Sequence, residues 1–211
     1  MSKKKPRMDS RKTGCILVIF AAFLCIPLQA QKKDYFPGYI IMPEGDTITG
    51  LVKDRTTGTF PELYKRIRFK GEQSPFRKKY GPDQILGYAC GDRVYESLPL
   101  WEETAFFRFR YYLVEGNGKA FLRVMSKNEA LTYYHWEYMD EESYYLDYIP
   151  LFYRHGADQM VRVSQGILGL KRKRLMEYFQ DCWELVEAIN NKQLNEIYEV
   201  YDFYNNNCIG P

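Results

Sequence analysis

Histidine is almost missing from this chain. His135 and His155 are the only two in 211 residues, and neither stands at metal-ligand spacing from the other or from a cysteine; there is no His-Glu-x-x-His and no Cys-x-x-Cys. The expectation is a protein without a metal centre, without a cofactor and without imidazole-dependent catalysis. A Gly-x-Ser-x-Gly elbow, a phosphate loop and a dinucleotide fingerprint are absent too, and Ser97 and Ser126 have no base in view. Nucleophilic acyl transfer, phosphoryl transfer and nicotinamide chemistry therefore lack a signature. His135, set among Tyr133, Tyr134, Trp136 and Tyr138, reads as a half-buried polar strand residue. His155 reads as a turn residue before Gly156.

Long apolar runs are equally scarce. The one that exists, Cys15 to Leu28, has fourteen residues, follows the basic stretch Lys3, Lys4, Lys5, Arg7, Arg11 and Lys12, and closes at Gln29-Ala30. That is short of the roughly 20 residues a helix needs to cross a bilayer, and Ala30 is a small residue where a signal peptidase would cut. Residues 1–30 read as a secretory signal peptide, with the working chain beginning at Gln31. The expected location is extracytoplasmic, in the periplasm or at the outer membrane, with no transmembrane span after processing. The other reading is an uncleaved signal anchor that presents the same outward-facing domain.

Without residues 1–30 the excess of positive charge disappears. That segment carries six of the thirty Lys and Arg and one of the twenty-seven Asp and Glu, so twenty-four cations and twenty-six anions remain. A slightly acidic chain gives no ground for nucleic-acid binding. Five cysteines fall to three: Cys90, Cys182 and Cys208. An odd count leaves at least one thiol unpaired within the chain.

What the remainder does have is alternation. Ile40 and Met42, then Ile48 and Val52 across the turn Glu44-Gly45-Asp46, predict a β-hairpin. Lys65 to Lys70 sets Ile67 and Phe69 against Arg66 and Arg68. Turns at Gly81-Pro82-Asp83 and Gly91-Asp92 separate two further strands, Gln84 to Ala89 and Arg93 to Ser97. Phe107, Phe109, Tyr111 and Leu113 form one face of the next strand, before the turn Gly116-Asn117-Gly118. Phe121 to Met125, Leu131 to Tyr138, Tyr144 to Tyr153 and Gln159 to Val163 complete the series. Connections this short demand antiparallel pairing.

After Gly166 the period changes. Leu168, Leu175 and Phe179 recur at helical spacing, Asp181 with Glu184 predicts a capping box for a helix Cys182 to Asn190, and Leu194, Ile197, Tyr201 and Tyr204 share a stripe on a third helix reaching Asn205. The predicted fold class is α+β: an antiparallel β-meander, open sheet or partial barrel, over residues 31–165. A small C-terminal helical tail, 166–211, packs on it.

The run Gly38-Tyr39-Ile40-Ile41, the turn segment Gly45-Asp46-Thr47-Ile48-Thr49-Gly50, and the late Glu177-Tyr178-Phe179-Gln180-Asp181-Cys182 with Phe203-Tyr204-Asn205 resemble a family of uncharacterised exported proteins of Bacteroidota. The resemblance covers most of residues 38–205. It implies an envelope location in a Gram-negative bacterium and carries no known activity.

Candidate sites are few. Nineteen tyrosines lie beyond residue 30, and the densest aromatic group, Tyr133, Tyr134, Trp136, Tyr138, Tyr144, Tyr145 and Tyr148, offers flat apolar faces with polar tips suited to a glycan or protein surface; ordinary sheet packing is the competing explanation. Glu102, Glu103, Glu137, Asp140, Glu141, Glu142 and Asp147 are the pool from which a glycoside-hydrolysing carboxylate pair would be drawn. The run Lys171-Arg172-Lys173-Arg174 is either an anion-binding patch or a solvated helix face. Cys182 and Cys208 bracket the last two helices and are either bridged or free. The function expected is a non-enzymatic binding or assembly module of the cell envelope, its partner an unknown envelope protein or glycan. The alternative is a carboxylate-dependent hydrolase acting on glycan.

Overall fold

Period-two alternation drives most of the chain into strands. The computed structural model describes residues 34–72, 74, 76–105 and 108–209. The segment read as an export signal, residues 1–30, and Phe107 lie outside them. Within them the first half contains β1 (Phe36–Ile41), β2 (Thr47–Arg55), β3 (Leu63–Gly71), β4 (Lys78–Tyr80), β5 (Gly87–Cys90) and β6 (Arg93–Pro99). The second half contains β7 (Trp101–Ala105), β8 (Arg108–Tyr112), β9 (Lys119–Lys127), β10 (Leu131–Met139), β11 (Leu146–Arg154) and β12 (Gln159–Arg162). These form a twelve-stranded antiparallel sheet in the order β4-β3-β2-β1-β5-β6-β9-β10-β11-β12-β8-β7.

The predicted hairpin is β1–β2, with Ile40 opposite Ile48 and Gly45 at φ 94° in the turn. Gly38 pairs with both Gly50 and Cys90, and a Cβ there would sit 2.0 Å from the Ala89 carbonyl oxygen, so the close approach of β1 to β5 requires glycine. Ile67 and Phe69 are buried as their alternation implies. With Ile40, Val52, Ile85, Tyr88, Cys90 and Tyr95 they build the first core, inside the curl of β1 to β6.

Only Leu100 separates β6 from β7, so this nearly continuous strand pairs with β9 along its first part and with β8 along its second. It thereby borders both ends of the run β9-β10-β11-β12-β8, a partly closed barrel around Tyr111, Leu122, Tyr134, Leu151 and Met160. Neither β4 nor β7 is evident as a strand in the sequence. Phe109, placed by pattern on the buried face of β8, is 40% exposed, whereas Tyr111 is buried.

The tail comprises α1 (Arg172–Tyr178), α2 (Trp183–Asn190) and α3 (Ile197–Asn207). Leu175, Phe179, Leu185, Ile189, Val200, Tyr201 and Tyr204 pack on Leu131, Tyr133, Phe152, Val161 and Val163, forming a third core on the outer side of β10–β12. Each fully buried large apolar side chain there contributes about 1.5–3 kcal/mol, which is how three short helices are held. Two expectations are corrected. Leu168 lies in the 3-10 turn Gly166–Leu168 and is 74% exposed, because the helix begins only after Lys171. Asp181 does not cap α2: its carboxylate binds the Arg154 guanidinium instead, at 2.9 Å from Nη1 and 2.5 Å from Nη2. The capping box of the tail is Glu196 with Glu199, at the start of α3. Among the described residues no helix is long and apolar enough to cross a membrane.

Candidate functional site

One face of β10 runs from Leu131 and Tyr133, under the helices, through His135 to Glu137, which meets the first half of the sheet. The meeting point is a buried ionic cluster. Val52 faces the first core, and a break in the β2–β3 register between Lys53 and Arg55 leaves Asp54 and Arg55 both turned toward the interior. Arg55 Nη2 lies 3.1 Å from Asp54 Oδ2 and 2.8 Å from Glu137 Oε2. Arg93 approaches Asp54 Oδ1 at 3.0 Å, and Arg123 approaches Glu137 Oε1 at 3.5 Å. The Tyr95 hydroxyl donates to Glu137 Oε2 at 2.7 Å and accepts from Arg55 Nη2. Tyr88 stacks on Tyr95, centroids 4.5 Å apart.

Burial governs the protonation states here. The Asp54 side chain is only 2% exposed and Glu137 8%. Burial alone would raise the pKa of Asp54, but Arg55 and Arg93 outweigh it and hold the carboxyl below its ordinary range. The Tyr95 phenol is raised, by burial first and then by Glu137. Cys90, buried beside Asp54, is pushed up to about 12 by burial and by that carboxylate, so its thiol is inert. Asp54 and Glu137 touch the same guanidinium nitrogen, so their oxygens are no further apart than those two contacts together, and Arg55 fills the space between them.

Above the cluster opens a cavity of about 580 Å³. Tyr88, Tyr95 and Glu137 contribute to its wall, and Tyr64, Met139 and Tyr144 also line it. The Tyr144 turn is held by Asp140, whose carboxylate accepts from the Ser143 backbone at 2.7 Å and from the Ser143 hydroxyl. Tyr144 itself has φ 57° and is 77% exposed. Beside it Tyr145 packs on Phe60, which is 59% exposed, with centroids 5.3 Å apart.

The seven aromatics read from sequence thus divide. Trp136, Tyr138 and Tyr144 line the cavity, and Tyr145 and Tyr148 are exposed. Tyr133 and Tyr134 do not belong to any surface: they are 3% and 1% exposed, on opposite faces of β10, in the third and second cores respectively. The reason is the alternation of the strand itself, which turns consecutive residues to opposite sides. Trp136 also packs edge-on to Tyr111, centroids 6.1 Å apart. Tyr148 stacks on His135, whose Nε2 is 2.6 Å from the Tyr133 hydroxyl; burial, aided by Arg123, lowers the imidazole pKa to about 4.

Of the sequence carboxylates, Glu137, Asp140 and Glu141 line the cavity. Asp54 and the three arginines carry no local motif; the signal for Asp54 was a charged residue at an inward-facing strand position, two beyond Val52, whereas Arg55 turns inward only through the register break. Cys182 and Cys208 are joined in a disulfide with Cα atoms 5.5 Å apart, tying the start of α2 to the end of α3. Among the described residues no three His, Cys, Asp or Glu side chains are grouped to hold a metal ion. In comparisons with known proteins, the chain matches no family model, no curated protein and no solved structure.

Proposed function

We propose that this chain is an exported, non-enzymatic binding module of the bacterial cell envelope that holds a glycan in the aromatic-rimmed cavity between β2–β3 and β10 with the turn that follows it. The observation that carries this reading is the state of the carboxylates beneath that cavity. Glycoside hydrolysis needs two carboxyl groups roughly 5–9 Å apart with the sugar or a water between them, one of them protonated. Asp54 and Glu137 are close enough, yet a guanidinium occupies the gap and each carboxylate is engaged by two arginines, Asp54 by Arg55 and Arg93 and Glu137 by Arg55 and Arg123. Fixed carboxylates and exposed phenol rings suit hydrogen bonding to hydroxyls and stacking on sugar faces. Export is supported by the signal-like residues 1–30 and by the Cys182–Cys208 bridge, since disulfides persist in oxidising compartments.

The test is calorimetric titration of residues 31–211 with neutral and amino-sugar oligosaccharides. Saturable binding that falls at least tenfold in Tyr144→Ala, with thermal stability unchanged, supports the proposal. Tyr144 is chosen because it is exposed, whereas Trp136→Ala would also remove packing on Tyr111. Release of new reducing ends, abolished in Glu137→Gln, would favour the hydrolase instead. Absence of binding to every sugar would overturn the glycan assignment and leave an envelope protein as the partner.

A further inference from the structure

The four cations of Lys171-Arg172-Lys173-Arg174 do not act together. Arg172 turns inward and fixes the tail, its Nη1 donating to the carbonyls of Ile189 and Leu194, both at 2.8 Å, and its Nη2 to Asn195 Oδ1 at 3.0 Å. Lys171 and Arg174 instead line a second cavity, of about 260 Å³, together with Arg110 from β8 and Arg162 from β12. Lys171, Arg162 and Arg174 are the cations there that act on one another, whereas Arg110, next to Tyr111 in β8, lies on the opposite face of the β8–β12 ladder from Arg162. The lining carboxylate, Glu177, is already engaged by Arg174 at 3.1 Å.

Arg110 stands opposite Glu103 in the β7–β8 ladder and is attracted by Glu103 and Glu177, whereas Arg162 and Lys171 have no such partner. Arg162 donates from Nε to the Ser164 carbonyl at 3.0 Å, and Arg110 to the Tyr112 hydroxyl at 3.4 Å. Among the described residues, Arg162 and Lys171 form no ion pair with a carboxylate, and the Lys171 ammonium makes no hydrogen bond. Lys171 is half-buried, and burial lowers its pKa, with Arg162 and Arg174 adding to the effect. A solvated basic helix face would spread its charges toward water. Here Arg162 of β12 adds its charge to those of Lys171 and Arg174, an arrangement whose self-repulsion an entering anion relieves.

We propose that this cavity binds a phosphate-bearing ligand, the phosphate seated between Lys171, Arg162 and Arg174. Guanidinium forks match phosphate oxygens two at a time, and several converging cations suit a dianion better than a single carboxylate. The space admits the phosphate and a small adjoining group. The source is either a free phosphomonoester or the headgroup of an anionic lipid. The inference is independent of the glycan cavity, which lies on other residues.

Calorimetric titration of residues 31–211 with inorganic phosphate, at ionic strength held constant with sodium chloride, tests it. The expected result is saturable one-site binding, weakened at least tenfold in the double variant Lys171→Gln, Arg174→Gln and retained within about threefold in Lys171→Arg. Lys173→Gln, in the same run but outside the cavity, leaves it unchanged. Equal binding by the double variant, or heat indistinguishable from that of chloride, overturns the proposal. Near-ultraviolet circular dichroism verifies the fold of each variant; if the double variant misfolds, Arg162→Gln carries the same expectation. Flotation with phosphatidic acid vesicles, against phosphatidylcholine vesicles, identifies the source. Capture that inorganic phosphate competes away supports a lipid headgroup, and phosphate binding without capture supports a soluble phosphomonoester.

Discussion

Replacing Arg55 by methionine would test the ionic cluster at its centre. The substitution keeps an unbranched apolar stem and removes the one group that neutralises Asp54 and Glu137 together. Breaking a buried ion pair by deleting one partner costs about 3–5 kcal/mol. Arg93 and Arg123 remain, at 3.0 and 3.5 Å, so the lower end, about 3 kcal/mol, is expected at pH 7. For a domain of this size that is a loss of roughly 6–12 °C in Tm. The pH dependence is the sharper signature. In the unaltered protein the folded pKa of Asp54 is depressed, so its contribution is complete above the unfolded value near 4 and is lost only as pH falls through the lower, folded value. Without Arg55 the burial of Asp54 is opposed by Arg93 alone, and its folded pKa moves above its unfolded value. Stability of the variant then falls as pH rises, and lowering the pH from 7 to 5 recovers part of the loss. Urea unfolding at pH 5, 6 and 7, followed by circular dichroism, measures both quantities. A loss under about 1 kcal/mol with no slope between pH 5 and 7 would refute the claim that the cluster is desolvated.

The bridge and the histidine make two further predictions. In denaturant without reductant, residues 31–211 should present one reactive thiol, Cys90, rising to three on reduction, and Cys208→Ser should cost about 3.5 kcal/mol if loop-closure entropy is the main effect; three thiols before reduction would exclude the bridge. His135, lowered to about 4 by burial, should stay neutral down to pH 5 when its ring protons are followed by NMR. Because the unfolded imidazole takes its proton near 6.5, this residue withdraws stability as pH falls from about 6.5 to 4. A midpoint near 6.5 in the folded protein would contradict its burial against Tyr148.

The strands were legible wherever an apolar residue recurred at every second position, as in Ile67 and Phe69, because burial of one sheet face imposes that period. Trp101 to Ala105 gave no such signal: Glu102 and Glu103 interrupt it, and the strand is held mainly by pairing with β8. The Asp181–Glu184 spacing was a sound helix-start pattern, but a bidentate contact with Arg154, far away in sequence, claimed the aspartate. The same limit applies to the candidate site. Tyr144 and Trp136 could be picked out locally, whereas Asp54, Arg93 and Glu137 are joined only by the curling of the sheet, and nothing short-range in their neighbourhoods encodes that closure.

The bent strand β6–β7 has a consequence for how the molecule is made. Strand β8 is secured beyond its pairing with β7 by two residue pairs with β12, Gln159 with Tyr112 and Met160 with Tyr111, and β12 is the last strand among the described residues. Until Gln159 has emerged, the paired strands β7 and β8 leave the β8 edge open, the state in which strands join other chains rather than their own. Such non-local closure slows folding. A chain made from its N-terminus therefore keeps this edge open until β12 appears, and the helical tail follows immediately after.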